Sequence, residues 1–455
     1  MARIQRMAST MITGGMRTTP TDLLDAHANI LPFQQLLRKI CHRAILRMIT
    51  LPDTHSLHKG IRTAYNSCSR RDFQSCKRHP SPIHRLLNEF KLNPHTAEVI
   101  TPTRHYPKWE NDVNTQIAAD AETAIIEDAI ADEDIRVYSD GSAVEGGVGA
   151  AAVLMRGEEM ARGKSFHLGS DKEHTVYEGE MIGMILAIEL LREEGGKGSM
   201  ALGVDNQAAI TATSAFTSKA GHYLMDKFHD DLRKLIPSHD YRKLTIRWTP
   251  GHHGIPGNEA ADTLAKEAAK GDSSDARSLP QSLVNRNGTQ LKLPISKAAL
   301  KQQVNKNLRK EAATIMKTSP RYTRLHEIDA SAPSKHFLEL VEKLPRNQST
   351  LLFQLRTGHA PLNRHLHRIT RAPSPKCQQC HLRDETVHHF LINCPAYARE
   401  RHALRNEIRP NILHLRNLLN HRKCIKPTLR FIASTRRLEQ PFGDVTPPAD
   451  DEQDR

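Results

Sequence analysis

IRVYSDGS, residues 135–142, decides the fold of this chain. Apolar and polar residues alternate up to an acid and a glycine stops them, as in a strand ending at a turn. Downstream, GVGAAAVLMRG (147–157) is a second apolar run that turns at Arg156-Gly157, and MARGKSFHLG (160–169) is a third strand. Over 176–194 apolar residues fall at helical spacing (Met181, Met184, Ile185, Ile188, Leu191), and Gly195-Gly196 ends the helix. SMALGVD (199–205) returns to strand. A helix starts near Asn206, another covers about 220–235, KLTIRWTP (243–250) is a strand, and 257–269 is the last helix. The string predicts an α/β fold: a mixed five-stranded sheet with flanking helices.

The flanks differ in composition. The chain has 455 residues, with 65 Lys and Arg against 51 Asp and Glu, a net charge of +14. The excess is uneven: residues 1–109 carry 17 − 6 = +11, 110–134 carry 0 − 9 = −9, 135–271 carry 16 − 19 = −3, and 272–455 carry 32 − 17 = +15. Two basic arms around a slightly acidic middle favour a polyanionic partner, nucleic acid above all. The longest apolar stretch, 182–191, contains Glu189 and falls well short of the ~20 residues that span a bilayer, so no membrane role is expected. The N-terminus lacks the apolar core of a secretion signal, which leaves nucleus or cytoplasm with no address to read.

Six segments are expected: a basic helical front (1–108), an acidic linker (109–134), the sheet domain (135–271), a polar linker (272–293), a basic helical region (294–438) and a disordered acidic tail (439–455).

Four carboxylates stand where strands meet turns or helices begin. Asp140 closes the first strand, Glu180 lies in the first turns of the long helix, Asp205 ends the fourth strand, and Asp262 lies near the start of the last helix. Such positions gather at the carboxyl ends of strands, where sites of sheet-and-helix folds form. Acids brought together there repel one another unless cations neutralise them, and Mg²⁺, a hard ion with oxygen ligands, is the natural neutraliser. Two such ions about 3.5–4 Å apart can activate a water and stabilise a leaving oxygen in phosphodiester hydrolysis. Gly157…Gly163-Lys164-Ser165 is no phosphate loop: five residues separate its glycines where the motif has four, and the segment is strand–turn–strand.

YSDGS (138–142), TVYEGEM (175–181), VDNQAA (204–209) and WTPGHHGIPGNEAAD (248–262) together resemble the ribonuclease H family, type 1, in the form found near the C-terminus of non-LTR, LINE-like retrotransposon polyproteins. The resemblance covers about residues 135–271. It implies cleavage of the RNA strand of RNA·DNA hybrids, leaving 3′-hydroxyl and 5′-phosphate ends, with two Mg²⁺ ions for which Mn²⁺ can substitute. Asp140 is then similar to the carboxylate shared by both metals, Glu180 and Asp205 to ligands on the leaving-group side, and Asp262 to the ligand of the water-activating metal. His252 is similar to the family's mobile histidine, assisting proton transfer or product and metal release. Asn206 and Gln207 either bind substrate in the minor groove, where 2′-hydroxyls distinguish RNA, or cap a helix.

Cys377-x2-Cys380-x8-His389-x4-Cys394 has zinc-compatible spacing, and a closed Cys3His set is structural. Either His388 or His389 can ligate. CQQCHLRDETVHHFLINCP (377–395) resembles the zinc-binding segment that follows ribonuclease H in the same polyproteins, whose spacing favours His389. Cys41, Cys68, Cys76 and Cys424 have no such partners.

IQRMASTMITGGMRTTPTDLL (4–24) resembles the segment after the polymerase palm in those polyproteins. The polymerase motif itself, Tyr or Phe, one residue, then Asp-Asp, is absent: Asp230-Asp231 lies in a helical pattern and Asp450-Asp451 in the tail. The chain is expected to be the C-terminal fraction of such an element, without a polymerase site. Two other readings remain: a catalytically silent nucleic-acid-binding remnant, and an integrase-type strand transferase, against which the GHHGIPGNEAAD loop speaks.

Overall fold

The computed structural model describes residues 1–69, 80–102, 113–195, 197–215, 217–237, 240, 242–408 and 413–447. The chain divides into two compact units, Ile40–Asn305 and Met1–Lys39 with Lys306–Arg455.

In Ile40–Asn305 a mixed sheet is built from β1 (Val113–Gln116), β2 (Ile135–Val144), β3 (Gly147–Arg156), β4 (Glu159–Ser170), β5 (Met200–Val204) and β6 (Leu244–Trp248), in the order β1-β6-β5-β2-β3-β4. β2, β3 and β4 form an antiparallel meander, while β5 and β6 run parallel to β2 and to each other. The β2–β3 turn is only Glu145 and Gly146, both at positive φ (54° and 86°), the primed geometry that matches strand twist. The helix Val176–Glu193 packs on the sheet; every residue from Glu178 to Leu191 is buried, and a Thr175/Glu178 capping box fixes its start. Helices Gln207–Ser214, His222–Leu235 and Pro256–Ala269 complete the layers. The core joins Phe166, Ile182, Ile185, Leu202, Phe228 and Ile246.

The α/β sheet with flanking helices is as expected, but it has six strands, not five. The sixth, β1, pairs in parallel with β6, and it comes from the segment expected to be an acidic linker. Only Val113 of its four residues is buried, so neither the alternation read in 135–142 nor the apolar runs of β3 and β5 mark it. The acids behind it are used within the unit. Asp128 accepts from the Tyr138 hydroxyl at 3.1 Å, and Glu133 pairs with the buried Arg247 at 2.7 Å. Residues 109–112 of that segment lie outside the described residues.

The stretch 272–293 is no free linker either: Leu279, Leu283 and Leu293 are buried in the same core. Ahead of the sheet, Ile45, Leu46, Ile49, Ile61 and Leu87 make a smaller cluster. Buried Glu98 receives the backbone N–H of Gly221 at 2.8 Å and of Lys297 at 2.6 Å, capping two helices at once.

The second unit is helical. The expected front segment does not hold together as one body, because residues 1–39 belong here: Leu24, Phe337 and Phe353 share one cluster, and Leu23, Ala26, Met316 and Leu325 another. A larger cluster surrounds Leu351, Leu355, Phe390, Leu391, Leu429 and Ile432. The expected disordered tail begins with an ordered helix, Glu439–Phe442, followed by buried Val445; its residues 448–455 lie outside the described residues. Among the described residues no helix is long and apolar enough to cross a membrane.

Candidate functional site

Three of the four predicted acids converge. Ligand oxygens of Asp140 on β2, Glu180 on the helix Val176–Glu193 and Asp205 just beyond β5 lie within 4.8 Å of one another. Small residues make the approach possible. A Cβ on Gly141 would overlap the Glu180 nitrogen and stand 2.6 Å from the Gly179 carbonyl carbon. On the far side a Cβ on Gly251 would lie 3.0 Å from an Asp205 carboxylate oxygen. Trp248 Nε1 donates to the Asp205 carbonyl at 2.9 Å and fixes the end of β5.

Burial and mutual repulsion shape the acids. Burial first, then Asp205 and Asp262, push Asp140 up to about 7. Glu180 is raised well above the usual carboxylate range by burial, then Asp205 and Asp140; the polar groups of Asn206 and the Gly141 backbone work the other way. Asp205 is raised by burial and then Asp262, against the pull of His252. Among the described residues no cationic side chain lies within ion-pair distance of Asp140, Glu180 or Asp205, and Glu180 Oε2 is buried without a hydrogen-bond partner. Clustered, dehydrated carboxylates with an orphaned oxygen fit a hard divalent cation.

Asp262 stands apart from the trio. It groups with His252 and Glu259, and Lys266 Nζ holds its Oδ2 at 2.6 Å. Glu259 was missed in the sequence, where it is one more acid on a helical start; its Oε1 accepts the Gly254 N–H at 3.4 Å. His252, exposed and at φ 60°, sits on the loop between β6 and the last helix.

Of the two readings open for Asn206, the geometry realises capping: its Oδ1 accepts from the backbone N–H groups of Ala208 and Ala209 at 3.1 and 3.2 Å. Gln207 is exposed at the first helical position. Gly163-Lys164-Ser165 lies within β4, with Lys164 buried against Glu193 at 2.8 Å.

A second constellation lies in the helical unit. Cys377, Cys380, His389 and Cys394 present ligand atoms within 4.8 Å of one another. Cys377 and Cys394 sulfurs are 3.8 Å apart and Cys380 Sγ is 3.3 Å from His389 Nε2. A tetrahedron with ~2.3 Å metal–sulfur bonds has edges of about 3.8 Å, so the spacing suits a zinc ion. Backbone N–H groups of Leu382 and Arg383 point at Cys380 and that of Ala396 at Cys394, donors that favour thiolates. His388 is exposed, with its Nδ1 3.2 Å from the Asn393 side-chain nitrogen. Of the other cysteines, Cys424 is buried and Cys41 half-buried, while Cys76 lies outside the described residues.

Residues 132–270 match the family described as RNase H, so the chain carries an RNase H domain over that span. No curated protein matches the chain. Among solved structures it is similar to RNase H1 from the halophilic archaeon Halobacterium salinarum, at 21% identity over 30% of this chain and 98% of that one, with a TM-score of 0.24. LC11-RNase H1, solved in complex with an RNA/DNA hybrid, is 19% identical over 30% of this chain and 97% of its own, with a TM-score of 0.25. The protease–reverse transcriptase of prototype foamy virus is 16% identical over 38% of this chain and 23% of its own, with a TM-score of 0.25.

Proposed function

We propose that this protein hydrolyses the RNA strand of RNA·DNA hybrids at the site formed by Asp140, Glu180, Asp205 and Asp262. The observation that carries the reading is the convergence of three carboxylates within 4.8 Å, with no ion-pair partner among the described residues, inside a span that matches the RNase H family. Those four acids would hold two Mg²⁺ ions, or Mn²⁺ in their place. When bound, the ions supply an activated water and charge neutralisation at the leaving oxygen.

The chain's own residues do the rest. Asn206 uses its carbonyl oxygen as a helix cap, and its side chain beside Glu180 favours the charged carboxylate. Gln207, exposed beside it, offers an amide to the minor groove and the 2′-hydroxyls there. His252 borders Asp205 and Asp262 and can move a proton as the 3′ oxygen leaves. Cys377, Cys380, His389 and Cys394 would hold a structural zinc. This second module, following the RNase H domain, supports reading the protein as derived from a LINE-like polyprotein.

The test incubates a labelled hybrid with the protein and Mg²⁺, beside the same RNA alone and an Asp205→Asn variant. Cleavage confined to hybrid RNA, and reduced at least about 100-fold in the variant, is expected. Hybrid bound but uncut by the unaltered protein would replace this reading with that of a binding remnant.

A further inference from the structure

Three arginines of the helical unit meet around a pocket of about 260 Å³. Arg364 and Arg368 stand one turn apart on the helix Asn363–Arg368. Arg324 reaches the same place from the helix Tyr322–Ile328 and lies across Gly358, the left-handed cap (φ 71°) of the helix Arg346–Thr357. A side chain at 358 would strike the Arg324 guanidinium, so the glycine leaves room for the cation.

No ion pair among the described residues answers these charges, and Glu327, one turn along from Arg324, acts on it only at a distance. Among the described residues no carboxylate lies within ion-pair distance of Arg324, Arg364 or Arg368. The one acid in the pocket wall, Glu385, is already engaged: Arg437 grips both its oxygens at 2.7 and 2.6 Å, and the Asn363 N–H adds a third bond at 2.7 Å. His365 adds no charge. Arg368 can only donate, so His365 Nδ1 accepts from it at 2.9 Å, which leaves the proton on Nε2, 3.2 Å from the Thr18 hydroxyl. Desolvation against the pocket wall, then Arg364 and Arg368, hold Arg324 below its ordinary pKa, and Glu327 only partly offsets them.

We propose that this pocket binds a phosphate group of a nucleic-acid backbone, with Arg324, Arg364 and Arg368 as its ligands. Guanidinium forks match the paired oxygens of a phosphodiester, and three of them around one small concavity fix a position rather than a diffuse attraction. Arg324, Arg364 and Arg368 are all exposed, within reach of a strand that passes over the pocket. The choice of nucleic acid over a free anion rests on the nuclease reading above and on the chain's net charge of +14.

The test measures binding, not cleavage, so it stands apart from the nuclease assay. Fluorescence anisotropy with a 25-base-pair RNA·DNA hybrid, duplex DNA and single-stranded RNA, at four salt concentrations, compares the full chain with Arg364→Gln/Arg368→Gln, Arg324→Gln and the control Arg405→Gln. Unchanged thermal midpoints establish that the variants fold. The double variant is expected to bind about tenfold more weakly on all three ligands, and its salt slope to fall by about two; Arg324→Gln should lower the slope by about one. Losses no greater than that of Arg405→Gln would overturn the proposal, since general charge would then explain them. So would calorimetric binding of inorganic phosphate that the arginine variants abolish while nucleic-acid affinity is unchanged, because the pocket would then serve a free anion. Loss of binding in the arginine variants of a protein that cuts no hybrid would support the pocket and sink only the nuclease reading.

Discussion

Gly141 and Glu180 touch backbone to backbone: no Cβ can be placed on Gly141 without overlapping the Glu180 nitrogen. This contact sets the depth at which the long helix lies against β2, and so the meeting of the Asp140 and Glu180 carboxylates. Gly141→Ala must push the two elements apart, since the atoms it meets (the Gly179 carbonyl carbon at 2.6 Å, the Val176 oxygen at 2.9 Å) belong to backbone and not to a movable side chain. Expected are a destabilisation of about 1–3 kcal/mol and a loss of hybrid cleavage of at least about 100-fold in protein that still folds. Gly146→Ala is the comparison. Its φ of 86° strains an alanine by about 1–2 kcal/mol, but the space beside it is open, so activity at 25 °C should persist. Equal activity losses in the two variants would reject the close-approach argument.

Lys266 occupies the carboxylate that the two-metal reading assigns to the water-activating ion. Its ammonium lies 2.6 Å from Asp262 Oδ2, one turn along the same helix, with the lysine exposed and the carboxylate half-buried. A divalent cation arriving at Asp262 must displace that ammonium. Lys266→Gln is therefore expected to lower the Mg²⁺ concentration for half-maximal cleavage about threefold, and to enlarge the rise in thermal midpoint that Mg²⁺ brings about. An unchanged Mg²⁺ titration by both readouts would show that Asp262 and the cation do not compete.

Much of this was legible in the sequence, and the exceptions have physical causes. The four acidic blocks sit on an alternating strand, at the end of an apolar one, on a helix whose middle is apolar and at a helix start, so their places follow from these local patterns. β1 was not legible, because VNTQ buries one residue and its neighbours are acids that normally face water. Only the buried Arg247 on β6 and the Tyr138 hydroxyl give those acids a reason to turn inward, and neither partner is near in sequence. Leu279, Leu283 and Leu293 carry no more signal, being scattered apolar residues in a polar run. Glu259 carried no signal until the loop bearing His252 folded back on it. The splitting of the front segment at Lys39 is likewise a tertiary fact: the Phe33–Ile49 helix reads as one amphipathic element from end to end.

His27 makes the helical unit acid-sensitive. The ring is buried edge-on between Phe337 and Phe353, with centroids 5.1 and 5.0 Å away; Nδ1 bonds the Leu23 carbonyl at 2.8 Å, and Nε2 has no partner. Burial, then Arg356, push its pKa down to about 3 from an ordinary 6.5. The folded state thus keeps the ring neutral while the unfolded chain takes up a proton, so stability is full above about pH 6.5 and is lost as pH falls toward 3. The loss approaches ~1.4 kcal/mol per pH unit, or about 2 kcal/mol at pH 5. Urea midpoints at pH 7, 6 and 5 should fall less steeply for His27→Gln than for the unaltered protein. Parallel curves would place the acid sensitivity elsewhere, for instance at His42 or His365.

The cysteine–histidine cluster is built into the core of the same unit: Cys377, Phe390, Leu391 and Cys394 belong to one buried cluster. Without a cation its thiols work against one another, and Cys394 is pushed up to about 12 by burial and then by Cys377. Zinc would replace that repulsion with bonds to thiolates, and its binding energy would become folding energy. One zinc per chain is expected in the purified protein. Its removal by a chelator, or Cys394→Ser, should lower the thermal midpoint of this unit by more than about 10 °C, while hybrid cleavage at 25 °C stays within about twofold. His389→Ala should lose the metal, and His388→Ala should keep it. A protein that holds no zinc, or whose midpoint ignores the chelator, would leave the four residues as a reduced thiol cluster within the core.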